Sequence, residues 1–278
     1  MPREGEKMIS MDWKERLRKD SDDFFKNKIP EGFYDIEIVY NAYPLRVNNK
    51  IPNEVIAFVG KQIASKVADK PEEYIEFYNY IFDHKGETGK TIFAYIMCRA
   101  LQKSPDIFFP YLEKKLFVLK DVKLATLIVD KAISPLVRKD PIRYQNIIIN
   151  WAKNDHPSLT ISMQRIITRI MQTHPENISE IFHHLESGWL NAGEPMIKLN
   201  IAVLKSIYKI KPDFYFEIYS HYQNTREPIF AEILTGAIMD YHPDIETAVN
   251  HWSQSGNIRL KKYGIHALKV IKKKKDMK

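Results

Sequence analysis

Apolar residues return along this chain on a period marked by prolines. Lys70-Pro71-Glu72, Ser104-Pro105-Asp106, Asp140-Pro141, His174-Pro175-Glu176, Lys211-Pro212-Asp213 and His242-Pro243-Asp244 recur at spacings of 34, 36, 34, 37 and 31 residues. Three positions after each proline stand Tyr74, Phe108, Tyr144, Ile178, Tyr215 and, breaking the column, Glu246. Six after stand Phe77, Tyr111, Ile147, Ile181, Ile218 and Val249. Four before stand Val67, Leu101, Val137, Met171, Tyr208 and Met239; eight before stand Ile63, Met97, Ile133, Ile167, Leu204 and Thr235. Offsets of three, four and seven or eight share one face of an α-helix. A proline at the first helical position gives up no hydrogen bond, and its fixed φ suits a helix. The acid that often follows it sits at the positive end of the helix dipole. Each proline is therefore expected to open the second helix of a pair, and the columns before it belong to the first helix.

Helix pairs on a period near 35 residues are the unit of HEAT, armadillo and tetratricopeptide arrays, in which each pair buries its apolar face only against its neighbours. The Trp-Leu-Gly-Tyr pattern of the tetratricopeptide repeat is absent. The expected fold is all-α: a right-handed α-solenoid of about six HEAT-like helical pairs over residues 50–278, with an N-terminal helical cap and an irregular segment over residues 1–49. Trp13, Leu17 and Phe24 share one helical face and predict a capping helix near residues 11–27. The stretch from Gly32 to Asn49 is aromatic and irregular, and its pattern assigns no element. Pro135, inside a first helix, is expected to kink it. A last first-type helix runs from about Asn257 into Lys272-Lys273-Lys274-Lys275 without a partner and serves as the other cap.

Composition narrows the class. Of 278 residues, 44% are hydrophobic, enough for a core and too many for a disordered chain. The ten glycines are few for a protein of strands and tight hairpins. No apolar run approaches the roughly 18 residues of a membrane span. The segment from Met1 to Asp23 is charged and lacks the apolar core of a signal peptide. Cys98 is the only cysteine, which excludes an internal disulfide and a cysteine-based zinc site. These features favour a cytoplasmic protein, away from membranes, with no cofactor and no metal.

The formal net charge is +7, and it is divided between the two helix sets. First helices are basic: Lys90, Arg99 and Lys103 in one, Arg165 and Arg169 in the next but one, then Lys198, Lys205 and Lys209, with no acid between Met196 and Pro212. Second helices are acidic, with Glu72, Glu73 and Glu76, then Glu176, Glu180 and Glu186, then Asp213 and Glu217. Two readings stand at this point. One is a basic surface that follows a phosphate backbone. The other is solvated faces with acids near helix starts and bases near helix ends; it accounts for Glu72, Glu176, Asp213, Lys103 and Lys209, but not for Arg165 or Lys198.

Thr126-Leu127-Ile128-Val129-Asp130, Trp151 and Gln164-Arg165 resemble the core of the DNA alkylation repair family, HEAT-like-repeat glycosylases that remove alkylated purines. The stretch from Ile197-Lys198 to Pro212-Asp213 resembles that family's next repeat. Trp252-Ser253-Gln254-Ser255-Gly256-Asn257-Ile258 resembles its Trp-x-x-Ser-x-Asn junction. The resemblance covers about residues 120–220. It implies duplex DNA as partner, Asp130 as the catalytic aspartate and Arg165 as a phosphate contact. The two tryptophans with which the family holds a cationic lesion fall on about Thr126 and Ala202, and neither offers a π face to a cation. The resemblance therefore implies DNA binding with weak or no glycosylase activity. Arg165, Arg169, Lys198, Lys205 and the C-terminal lysines are the expected backbone contacts. The alternative is an interaction scaffold that holds a protein partner along its concave face.

Three further constellations have both a chemical and a plainer reading. Asp130 lies beside Lys131, with Lys123 and Arg138 near, which also fits a paired surface charge. Glu180 with His184, and Glu217 with His221, form two i,i+4 pairs at equivalent positions. They suit a metal or acid–base site if the repeats bring them together, or ordinary surface pairs if not. Gly86-Glu87-Thr88-Gly89-Lys90-Thr91 lacks the phosphate-loop spacing and reads as a helix–helix turn with Thr88 and Gly89 near a cap. Trp189, between two helices, is either an exposed contact or folded back on its own repeat; Trp151, Trp252 and Cys98 read as core.

Overall fold

A computed structural model describes residues 13–26 and 51–276. The segment from Gly32 to Asn49 and the Phe24 side chain lie outside the described residues. All regular structure among the described residues is helical. In chain order the α-helices are α1 (Trp13–Phe25), α2 (Asn53–Lys66), α3 (Ile75–His84), α4 (Gly86–Lys103), α5 (Pro105–Phe117), α6 (Val122–Ala132), α7 (Ser134–Lys139), α8 (Pro141–Lys153), α9 (Thr160–Thr173), α10 (Ile178–Glu186), α11 (Glu194–Ile210), α12 (Pro212–His221), α13 (Pro228–Ala237), α14 (Pro243–Ser253) and α15 (Ile258–Lys275). Short 3₁₀ turns, Pro71–Tyr74 and Pro175–Asn177, lead into α3 and α10. Among the described residues no helix is long and apolar enough to cross a membrane.

Every repeat proline opens a helical segment, as its missing N–H and fixed φ require. The residue before a proline is barred from the α region, and the consequence recurs along the chain. Lys70, Ser104, Asp140, His174 and Lys211 have φ of −138°, −133°, −147°, −135° and −142°, with ψ of 64°, 68°, 79°, 70° and 73°. One turn is thus built five times. His242 differs, with ψ at 146°, and it follows the shortest spacing and the short helix α13. Pro135 has the effect expected of it in stronger form: the first helix of its pair breaks at Ile133 into α6 and α7.

The column eight before the prolines is buried in every pair, from Ile63 to Thr235. After the prolines the deepest position is seven on, where Tyr78, Leu112, Ile148, Phe182 and Tyr219 are buried; the column at six is only partly covered in its first three members. The helices pack into two compact units. One runs up to Val118 and includes Leu127–Pro135; the other holds Leu119–Thr126 and everything from Leu136 on. In the first unit α2 packs on α4, and α4 also packs on α3 and α5. In the second, α9, α11, α13 and α15 pack in succession, as do α8 with α10 and α12 with α14. First helices therefore touch first helices, and second helices touch second helices.

Polar contacts repeat at the same interval. In the first unit Ser104 donates to Glu72, Tyr111 Oη donates to Asn79 Oδ1 at 2.9 Å, and Lys115 Nζ meets Asp83 Oδ2 at 3.0 Å. In the second, buried Gln145 donates to Glu180 at 3.2 Å and accepts from Asn177 at 3.4 Å, and Lys153 donates to Ser187 at 2.9 Å. Hydrogen bonding leaves none of the amide of Gln145 stranded, which burial would otherwise penalise.

Two local devices hold helix ends. Asp155 adopts a left-handed φ of 56° and sends its carboxylate to the Met196 backbone N–H, at 2.6 Å, inside the first turn of α11. Gly193 leaves room for it: a β-carbon there would lie 2.0 Å from Asp155 Oδ2 and would displace the capping carboxylate. At the other end of the next pair, Tyr215 and Tyr219 of α12 donate to the Ala237 and Leu234 carbonyls, at 2.7 and 2.8 Å. They thereby satisfy C-terminal acceptors of α13 that have no partner within the helix.

Three outcomes follow from these contacts. Asp155→Ala should lower stability by about 1 kcal/mol through the lost cap, and Asp155→Asn by less, since Asn keeps an acceptor and tolerates the left-handed backbone; urea unfolding midpoints check the order. Gly264→Ala would place a β-carbon 2.3 Å from the Ser253 backbone nitrogen and 2.6 Å from the Trp252 carbonyl carbon. The gain in helix propensity is about 1 kcal/mol, whereas forcing apart packed backbones costs about 1–3 kcal/mol. The midpoint should therefore fall, and a rise would show that α14 and α15 do not cross this closely.

The third outcome concerns pH. Burial pushes Tyr215 up to about 12 and Tyr219 well above the ordinary phenol value. A raised folded pKa contributes stability that is complete below pH 10, where the unfolded phenols hold their protons, and that is lost as pH climbs toward and through the folded value. Stability should therefore drop above pH 10, and Tyr219→Phe should flatten that drop in denaturant titrations run at pH 8 to 11.

Candidate nucleic-acid interface

Helix α9 begins without an acid or a base in its first turn, and its buried stripe, Met163, Ile166, Ile167, Ile170 and Met171, faces the packed interior. The same geometry puts Arg165 and Arg169 one turn apart on the outer face, and both are exposed. Arg165 also engages a partner within the protein. On α11, the next first helix, Lys198 is exposed and Lys205 half-buried. Lys198 Nζ meets Glu194 Oε1 at 2.5 Å, with both side chains largely in solvent. The stretch after Met196 is free of acids as the sequence indicates, but Glu194 lies one helical turn before Lys198 and supplies the countercharge. The Lys198 ammonium holds the Glu194 carboxyl below the usual carboxylate range.

Near Arg169 the surface folds into a cleft of about 210 Å³. Its walls are Val137, Arg138, Lys139 and Pro141 from the turn joining α7 to α8, and Arg169, Ile170, Thr173 and His174 from the end of α9. Two copies of the repeated turn thus form one concavity, within a single compact unit. Arg138, Lys139 and Arg169 are all exposed there. The two neighbouring acids are already engaged. Asp140 caps α8 by accepting from the Arg143 backbone N–H at 3.2 Å, and Glu176 pairs with His174 Nδ1 at 3.0 Å. Three formal positive charges line the cleft, against the carboxylates of Asp140 and Glu176 beside it and the fractional negative ends of α7 and α9. The sequence carried a signal for this cleft in the cations Arg138-Lys139 just before a turn proline, but it did not show that consecutive turns close around a common space.

The remaining candidates stand apart from it. Asp130 lies on α6 in the first unit, half-buried, and engages a partner within the protein. Its neighbour Lys131 places Nζ 5.8 Å from the Tyr95 ring centroid; Lys61 approaches the same ring at 6.0 Å. Arg165 belongs to the second unit. Thr126 and Ala202 are half-buried, and their side chains offer no ring. The Glu/His pairs do not converge: Glu180, His184, Glu217 and His221 are exposed, and among the described residues no three His, Cys, Asp or Glu side chains could share a metal ion. Helical packing keeps such i,i+4 pairs on outward faces of successive helices.

Gly86, at φ 58°, makes the turn, and Thr88 and Gly89 lie in the first turn of α4, close to its N-cap Lys85, whose carbonyl accepts from the Gly89 N–H. One local expectation needs correction. Cys98 is half-buried and lies at the margin of the core. Trp189 folds back: it is buried and meets Phe182 and Phe230 edge-to-face at 5.6 and 5.3 Å. Trp151 and Trp252 are core residues, the latter donating to the Tyr222 carbonyl at 3.3 Å.

Fold and site together define an all-α protein of packed helix pairs with a basic cleft on one unit. Comparison of the chain with protein-family models, with curated proteins and with solved structures gives no match to any of the three.

Proposed function

We propose that the chain is a HEAT-like-repeat protein, a right-handed α-solenoid, that binds the phosphate backbone of duplex DNA through the outer face of α9 and its surroundings. The observation that carries this reading is the pair of exposed guanidinium groups, Arg165 and Arg169, one turn apart on a helix with no acid, beside a cleft that adds Arg138 and Lys139. Guanidinium groups suit phosphate because their fork of donors pairs with two oxygens at once. The recurring turn at Lys70, Ser104, Asp140, His174 and Lys211 and the succession α9, α11, α13, α15 support the solenoid. The net charge of +7 favours an anionic partner over a protein one.

The same reading assigns no base-release chemistry. Asp130 is the one carboxylate that the resemblance to the alkylation-repair glycosylases would make catalytic, and Thr126 and Ala202 stand where that chemistry needs aromatic faces.

The test is fluorescence anisotropy of a labelled duplex across a salt series. Binding should weaken steeply with salt, with the slope falling by about 0.9 for each phosphate contact removed. Arg165→Ala and Arg169→Ala should each lower affinity without regard to sequence, and Glu194→Gln, which frees Lys198, should raise it. Asp130→Asn should leave binding unchanged, and alkylated duplex should lose no base. Absence of binding at low salt sinks the proposal and returns the chain to the alternative of a protein-binding scaffold.

A further inference from the structure

We infer that the cleft between the α7–α8 turn and the end of α9 is a seat for a single phosphate group. The inference deepens the duplex reading and rests on it only for the identity of the phosphate's carrier. The cleft measures about 210 Å³, below the range of pockets that enclose whole cofactors or drug-sized ligands and suited to one anionic group. Its side-chain lining is rich in donors, the guanidinium groups of Arg138 and Arg169, the Lys139 ammonium and the His174 ring, with the Thr173 hydroxyl beside them. The Thr173 hydroxyl already donates to helix carbonyls, at 3.0 Å to Arg169 and 3.2 Å to Ile170, so its oxygen faces a ligand as an acceptor and contributes little to an anion. His174 is committed through Nδ1 to Glu176, which leaves Nε2 as its nitrogen for a ligand.

Recognition therefore falls to the three cations. They come from two successive repeats, and the two turns that carry them share one backbone geometry, φ −147° and ψ 79° at Asp140, φ −135° and ψ 70° at His174. The fold thus sets the backbone positions from which the three exposed side chains reach the cleft, and a compact anion that accepts from more than one of them at once is favoured there over diffuse counterions. Two carboxylates flank the cleft, Asp140 capping α8 through the Arg143 backbone N–H and Glu176 paired with His174 Nδ1, and Arg138 also engages a partner within the protein; phosphate must hold the cations against these.

The experiment titrates inorganic phosphate into the full chain by isothermal calorimetry, with chloride holding ionic strength constant, and measures duplex anisotropy on the same proteins. Expected is saturable phosphate binding. It should weaken roughly tenfold in Arg138→Ala with Lys139→Ala, and remain unchanged in Lys261→Ala, an exposed cation of the same unit outside the cleft. Lys139→Gln alone, at an exposed position, guards against a folding defect and should weaken phosphate binding in the same direction. No saturable phosphate binding, or binding indifferent to Arg138 and Lys139, overturns the inference even where the duplex binds. Phosphate binding with no duplex binding upholds the seat, assigns it to a free phosphate or phosphomonoester, and overturns the duplex reading.

Discussion

The packing of first helix on first helix is the interaction on which the rest of this structure depends. An isolated helix of ten to eighteen residues is marginal in water, because nucleation is costly and few bonds follow it. Each such helix here persists because one stripe is removed from solvent by its neighbours. The column from Ile63 through Met97, Ile133, Ile167 and Leu204 is buried in every pair, and burying a side chain of this size contributes about 1.5–3 kcal/mol. The proline turn serves that packing. It ends one helix and starts the next with a backbone geometry repeated five times, and within each unit first helices pack on first helices.

Apolar burial alone is indifferent to small slips along the stack. Directional contacts at the repeat interval remove that freedom: Tyr111 with Asn79, Lys115 with Asp83, Gln145 with Glu180 and Lys153 with Ser187 join equivalent helices. Where the period shortens, near His242, the structure compensates in another way. Helix α13 stops early, and the buried Tyr215–Tyr219 pair takes over its last carbonyls. Glu246, the residue that breaks the apolar column, accepts from the Tyr241 hydroxyl at 2.7 Å and from Lys275 at 3.4 Å. These partners suit a carboxylate in an otherwise apolar column, and the Tyr241 hydrogen bond holds its carboxyl below the usual range.

With the interior committed to packing, chemistry is left to the outer faces and the turns. That division explains why the cations matter more than the acids for a binding reading. Asp140 serves a cap, Glu176 and Glu194 are paired with His174 and Lys198, and Arg138, which also engages a partner within the protein, shares a cleft with Lys139 and Arg169. Asp130, half-buried on α6, engages a partner within the protein, and its neighbour Lys131 turns toward the Tyr95 ring.

The sequence by itself determined the secondary structure and the repeat. Prolines at six positions and the apolar columns around them specify helix starts and buried faces, because a helix start and an amphipathic stripe are properties of a few consecutive residues. The same locality identified α1, α15 and the break at Pro135. It placed Arg165 and Arg169 on one helical face, since residues four apart must share it. Tertiary structure alone decided what depends on neighbours far along the chain. The Glu/His columns stay apart, the Trp189 ring is folded inward, Asp155 reaches α11, and two turns separated by a full repeat close into a basic cleft. These outcomes follow from the angle and register at which whole helices pack, and no short stretch of residues encodes that angle on its own.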